Sequence, residues 1–328
     1  MFRYYFYIVV FAFLSCKKKT VDSPITTPSA FPISYSVFNT TNTSLLSNKI
    51  NGIILDNVNN LWFATDAGLT KYDGTSWITF DSVSNSFPSK VFNCIKQDNS
   101  GNIWAGTNNG LLKYNGSSWQ IYNAFNSAIP SNRIRSIVID ASNTVWVGTF
   151  SGGGLAKFNG SLWTVYTPTN SGLPSNSVGA LAIDKLGVIW IGTGGGVSEF
   201  DGAVWNTYNV GNSNLPSNNV YCIAIDTNNT KWIGTNGGLT KFDGTIWQTY
   251  NSSNSSLPIN LVRPIVCFQN NLKWIGTEGA GIVNFDNTNW NIINSNNSNM
   301  PDNFINAMVI DSQSKKWVGT NNGIVIIP

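Results

Sequence analysis

The 328-residue chain contains no histidine. That absence removes imidazole acid–base catalysis, Ser-His and Cys-His nucleophile pairs, and most zinc and copper sites built from protein ligands. Charge is also scarce. With 19 Lys and Arg against 16 Asp and Glu, charged residues make up 11% of the chain and leave a net charge of +3. These cations are spread along the sequence, so no basic face of the kind that grips nucleic acid is expected. Long apolar runs are missing as well: the best is Tyr4 to Leu14, too short to cross a bilayer as a helix. Asn, Ser, Thr and Gly stand where Lys and Glu usually do. That composition suits turn-rich β structure and disfavours long helices.

The N-terminus reads as a targeting segment and is set aside from the fold. Arg3 supplies a positive start, Tyr4 to Leu14 an apolar stretch, and "FLSCKKK" its end. That ending resembles the lipobox of bacterial lipoproteins, with Cys16 as the lipid-modified residue; an ordinary secretory signal is the alternative. The expected organisation is a lipoprotein signal peptide over 1–15, a lipid-anchored tether over 16–33 rich in Pro, Thr and Ser, and a folded domain over 34–328. Acyl chains on Cys16 would hold the protein to a membrane. Lys17 after the cysteine points, by the same resemblance, to the outer membrane, on its periplasmic or surface face.

The folded part is a repeat. A Trp opening "W-x-G/A-T" falls at 62, 104, 146, 190, 232, 274 and 317, at spacings of 42 to 44 residues. A second Trp follows 15–17 residues later in six of the seven units, which accounts for all 13 tryptophans. Each unit divides into four short strands, A to D, of the types "RIRSIVID", "TVWVGT", "GLAKFN" and "LWTVY" (133–140, 144–149, 154–159 and 162–166). Asp-Gly or Asn-Gly between C and D, as at 73–74 and 115–116, is a strong hairpin signal. An Asp six residues before the first Trp suits an Asx-turn between A and B. Four-stranded units of this length are the signature of a β-propeller. The seventh unit ends after strand C, and a 42-residue step back from Trp77 and Phe80 lands on Tyr35 and Phe38. The fold class is therefore all-β: a seven-bladed β-propeller whose N-terminal strand completes the last blade and closes the ring.

The units lack the G-H…W-D signature of WD40 repeats. "DNSGNIWAGTNNGL" (98–111) and "DTNNTKWIGTNGGL" (226–239) instead resemble the two-component regulator propeller repeat. The resemblance runs from residue 50 to 328, with unit six departing from it at Phe268, where the others have Asp. It implies an extracytoplasmic sensor propeller, of a kind often linked to glycan sensing. The chain shows no kinase or output segment, so recognition rather than signalling is what the resemblance implies here.

Recurring residues need no ligand to explain them. One Trp per blade is expected to pack between sheets, and the A–B aspartates to cap turns rather than hold Ca²⁺, since the closing bidentate Glu is missing. Cys94 and Cys222 share a position that is small in every unit and read as core fillers in separate blades, with Cys267 a third buried thiol. A glycosidase-like carboxylate pair would have to come from Asp66, Asp81, Glu278 and Asp302, and no pair is marked.

The informative positions are those where the copies disagree. Eleven residues before the Trp stand Asn51, Asn93, Arg135, Gly179, Tyr221, Arg263 and Asn306. After the "G-T" of strand B, or its equivalent, stand Asp66, Asn108, Phe150, Gly194, Asn236, Glu278 and Asn321. Both sets belong to the face of the D–A and B–C loops, and insertions lengthen the loops at "FSGGG" (150–154) and "EGAG" (278–281). Either Glu278 merely neutralises Arg263, or these residues form a polar cleft with Arg135, Tyr221 and Arg263 as anchors, joined by Phe150, Glu278 and Asp66. The expected function is a non-catalytic recognition module for a glycan or other polar ligand, needing no cofactor or metal. A protein-interaction scaffold of a cell-envelope complex is the alternative. A lyase of the streptogramin type is disfavoured because it is expected to depend on histidine. A closed ring is expected to be monomeric.

Overall fold

A computed structural model describes residues 34–328. The expected signal peptide, Cys16 and the whole of the expected tether (16–33) lie outside the described residues.

Seven four-stranded antiparallel sheets form the blades. Six are built from consecutive strands. The seventh joins Ser36–Phe38 to Gly323–Ile327, Lys316–Thr320 and Ile305–Ile310, with Val37 opposite Val325. Strand A of blade seven also packs against strand A of blade one (Ile50–Leu55), so the ring closes as the sequence predicts. Closure leaves the N-terminal strand protecting the last sheet edge.

Strand B is buried along its whole length in blades one to six, because it lies inside its own sheet and is covered on both faces by adjacent blades. Its Gly permits close approach: a Cβ on Gly148 would sit 2.7 Å from Val178 Cγ1 of the next blade. The small residue ten before the Trp pairs across the ladder with that Gly, as Cys94 does with Gly106. Blade one inverts the arrangement, with Gly52 opposite Ala64. The cysteines therefore fill space next to strand B while also edging the central channel. Cys94, Cys222 and Cys267 are free thiols, each pushed up to about 12 by burial.

The strand-B tryptophans are 0–6% exposed, which leaves no ring face for a sugar. Their indole N–H groups donate to the A–B aspartate six residues earlier, at 2.9–3.4 Å in six blades. The other oxygen of that carboxylate caps the turn; Asp98 Oδ1 accepts from the N–H of Ser100 and of Asn102. Burial opposes the charge on Asp98, but the bonds from Trp104 and Asn102 prevail and hold the carboxyl below its ordinary value. Blade six departs as expected. Phe268 replaces the Asp, a 3₁₀ turn spans Gln269–Asn271, and the buried Trp274 Nε1 has no acceptor. The second tryptophans are half-buried, stacked at 3.9–4.7 Å on the strand-C aromatic of their own blade.

Asparagine brackets the D–A loops. Asn132, Asn218, Asn260 and Asn303 each accept, through Oδ1, the backbone N–H eight residues earlier. Asn176 Oδ1 is buried without a partner because the residue eight before it is Pro168, which has no N–H to give.

Candidate functional site

The position eleven before the Trp is the extra residue of a β-bulge. In blade three the ladder runs Ile134↔Thr149 and then Ser136↔Gly148, leaving Arg135 without a cross-strand partner. The same register shift occurs in all seven blades. A bulge re-aims its side chain, and here the seven bulged residues all line the central channel, of about 310 Å³. Freed from the ladder, the position can vary without disturbing the sheet.

Each bulged residue stands beside the residue after the Thr of strand B, fifteen positions later. Asn51 donates to Asp66 (2.8 Å), Asn93 to Asn108 (3.0 Å) and Asn306 to Asn321 (2.9 Å). Asn51 and Asn93 also donate to the backbone carbonyls of Phe92 and Ile134 in the following blade. In blade six the pair is ionic: Arg263 meets Glu278 at 3.1–3.3 Å through Nε and Nη2. Blades one, two, six and seven thus close their own part of the mouth with mutual polar pairs.

Blades three to five do not. Their pairs are Arg135–Phe150, Gly179–Gly194 and Tyr221–Asn236, and no bond joins any of them. A cavity of about 390 Å³ opens there, lined by Arg133, Arg135, Phe150, Gly179, Gly194, Tyr221 and Arg263 among others. The glycine pair of blade four creates much of this space. Neither residue has the positive φ that would demand glycine; a Cβ on Gly194 would meet nothing closer than 3.7 Å, and one on Gly179 would sit 3.3 Å from the Val220 carbonyl oxygen, a tight contact. Deeper in, the Thr of strand B ties down the B–C loop. Its hydroxyl bonds to the carbonyl three residues on in Thr193, but five on in Thr149 and four on in Thr277, which registers the two loop insertions.

Two of the three arginines are occupied. Arg263, besides Glu278, lies 4.4 Å over the ring of Tyr221, and Arg133 lies 4.9 Å over Phe150. One face of each aromatic ring is therefore covered by a guanidinium. Arg135 has no hydrogen bond or ion pair among the described residues. Enclosure by the channel wall, then the like charge of Arg263, pull its pKa down from the ordinary arginine value.

Of the residues singled out from the sequence, the structure gathers Arg135, Phe150, Tyr221 and Arg263 around one cavity. Glu278 stands in an adjoining recess with Arg135 and Arg263. Asp66 lines neither; in blade one it takes Asn51 and an ion pair from Lys49 at 3.1 Å. Glu278 does neutralise Arg263, and that pairing coexists with the cavity. Arg133 lies outside both variable sets, and Gly179 and Gly194 stand in them without being read as a pair. The fifteen-residue offset between the two variable positions was the signal that could have found the glycines. The four remaining carboxylates are engaged separately: Asp81 caps Val83 and Ser84, Asp302 caps Phe304, and Asp66 and Glu278 hold their cations. No group of three or more Cys, Asp or Glu able to hold a metal occurs among the described residues.

Four stretches, 86–109, 128–151, 172–195 and 214–237, match the family described as Two component regulator propeller. Those stretches of the chain are similar to two component regulator propeller repeats. These four repeats fall in blades two to five and so include the three blades around the cavity. The extracellular domain of a protein described as a hybrid two component system from B. thetaiotaomicron is 27% identical, with a TM-score of 0.74 over 86% of this chain and 40% of that one. This chain thus spans about two-fifths of the length of that domain. PorZ, described as a surface component of the type-IX secretion system of Porphyromonas gingivalis, is 18% identical, with a TM-score of 0.70 over 85% of this chain and 46% of that one. Virginiamycin B lyase from Staphylococcus aureus is 11% identical, with a TM-score of 0.70 over 88% of this chain and 97% of that one. The last two likenesses show the fold alone. No protein of curated function matches the chain.

Proposed function

We propose that this chain is a non-catalytic recognition module of the cell envelope that binds a polar ligand, a glycan foremost, in the cavity over blade four. The observation that carries the reading is the glycine pair Gly179–Gly194. Where four other blades fill the mouth with a bonded pair, this blade leaves a space walled by arginines and aromatics. Its volume is at the lower end of the range for small-ligand sites. The repeat-like stretches and the likeness to the extracellular domain of a hybrid two component system support an extracytoplasmic role, and Cys16 in its lipobox-like context supports an anchor at the outer membrane. Absence of histidine supports a binding rather than a lytic role, since the inactive form of the staphylococcal lyase replaces a histidine by alanine.

A second reading, a scaffold for an envelope protein, is favoured by a separate observation. Leu162, Val204 and Ile246 are 55–68% exposed at one equivalent C–D turn position of blades three to five. Blades one, two and six have Ser76, Ser118 and Asn289 there.

The test is a glycan array run with the native protein and with Gly179→Asn/Gly194→Asn, which copies the Asn93–Asn108 pair into blade four. Retention of a glycan by the native chain and its loss in the variant supports the first reading. A blank array, with a stable envelope partner lost on Leu162→Ser/Val204→Ser/Ile246→Ser, supports the second.

A further inference from the structure

We infer that the ligand of this cavity is an acid: a carboxylate-bearing molecule of sugar-acid size, whose carboxylate is held by Arg135 and whose body lies over Gly179 and Gly194. The inference rests on the recognition reading above and gives that ligand its charge.

The argument is one of unmatched charge. The mouth holds four cations, Lys49, Arg133, Arg135 and Arg263, against two carboxylates, Asp66 and Glu278. Both carboxylates are spent, Asp66 on Lys49 and Glu278 on Arg263. Arg133 lies on Phe150. Arg135 is left with a planar fork of five N–H donors, no acceptor among the described residues, and two like charges, Arg263 and Arg133, lining the same cavity. A guanidinium in that position is served by water until a group arrives that matches both its geometry and its sign, and a carboxylate does so with two parallel bonds. A neutral sugar can offer hydroxyl oxygens as acceptors, but it leaves the repulsion between the guanidiniums in place. Stacking alone is a poor substitute, because Arg133 and Arg263 already cover one face of Phe150 and of Tyr221. Of the two cations left without a carboxylate, Arg133 and Arg135, only Arg135 also lacks an aromatic ring against it. Beside it, the glycine pair removes the side chains that would otherwise occupy the volume of the ligand's body.

The probe is D-glucuronate, titrated at constant ionic strength against D-glucose and inorganic sulfate, with the arginine Nε–H and backbone resonances of the protein as the readout. Glucuronate is expected to shift the Arg135 Nε–H signal and the amides around Gly194 saturably, with glucose at least tenfold weaker. Arg135→Gln should weaken glucuronate at least tenfold, as expected on losing a charge-assisted bond, while Arg135→Lys loses less and the melting temperature of both stays close to the native one. Equal binding of glucose and glucuronate, unchanged by Arg135→Gln, would overturn the acid inference and leave the polar-ligand reading standing. Sulfate binding as tightly as glucuronate would show an oxyanion site indifferent to the sugar body and overturns it too. Silence of the blade three-to-five resonances with all three titrants removes the inference, and a blank glycan array beside it removes the small-ligand reading as well.

Discussion

Replacing Asp98 by alanine removes a side chain that no ligand touches, yet five contacts end on it. Its Oδ1 accepts the N–H of Ser100 at 3.0 Å and of Asn102 at 2.8 Å; its Oδ2 accepts the Asn102 amide at 2.8 Å and Trp104 Nε1 at 2.9 Å; a longer bond joins Asn102 Nδ2 to Oδ1. Trp104 is 2% exposed, so its indole N–H finds no water when the carboxylate goes. A buried donor left unsatisfied costs about 1–3 kcal/mol. The lost turn bonds add about 1 kcal/mol, since their N–H groups can turn to solvent at the blade edge. The sum is about 2–4 kcal/mol, or a fall in melting temperature of about 4–8 °C for a domain of this size. Urea unfolding of native, Asp98→Ala, Trp104→Phe and the double variant separates the terms. If the indole bond carries the effect, the two single losses overlap by about 1 kcal/mol or more in the double variant. Additive losses, or an Asp98→Ala cost under about 0.5 kcal/mol, would refute the reasoning and leave the recurring Asp as a turn former only.

The same carboxylates set an acid limit. Asp56, Asp98 and Asp184 are held below their ordinary values by hydrogen bonds that outweigh burial. A lowered folded value means stability that is fully present above the unfolded value of about 3.9 and lost as pH falls through the folded one. Unfolding free energy measured against pH should therefore be level from neutrality to about pH 5 and drop below about pH 4, whereas a drop already at pH 6 would point to other groups. The ion pair of Lys231 and Asp184, 3.0 Å long and nearly buried between blades four and five, gives a sharper local case. Lys231→Met should cost about 3 kcal/mol because it strands the carboxylate, and a cost under about 1 would mean that the backbone bonds to Asp184 suffice. Gly179→Asn/Gly194→Asn should keep or raise stability, by about 0.4–1 kcal/mol per glycine removed from the unfolded ensemble, as read by denaturant midpoint. A loss of more than about 2 kcal/mol would show that the glycines are needed for the backbone rather than for space.

The ring was legible in the sequence because it is written seven times. Blade number, the Asx-turns, the position kept small ten residues before the Trp and the closing strand at Phe38 all follow from period and spacing alone; that the small position faces the strand-B glycine came from the ladder register. The site was legible only in part. Arg135 and Arg263 could be found because they break the repeat, and the pairing of Arg263 with Glu278 could be named as a possibility. The bulge that turns those residues into the channel leaves no residue signature, since the bulged position accepts Asn, Gly, Tyr or Arg alike. Burial of Trp274 Nε1 without an acceptor follows from Phe268, but the indole–carboxylate bond that makes this matter in the other blades depends on two side chains meeting across a turn. Likewise, the covering of Tyr221 and Phe150 by arginines depends on which neighbours the ring brings together, and it changes those aromatics from free platforms to partly occupied ones.

The central claim is that this propeller recognises a small polar ligand over blade four. The most direct measurement is a map of backbone amide perturbations on titration with the best-binding glycan from the array. The account predicts perturbations confined to the D–A and B–C loop face of blades three to five, centred on Gly179 and Gly194 and absent when those residues are asparagine. Perturbations centred on the Leu162, Val204 and Ile246 rim, or on the outer strands with their half-buried tryptophans, would contradict it.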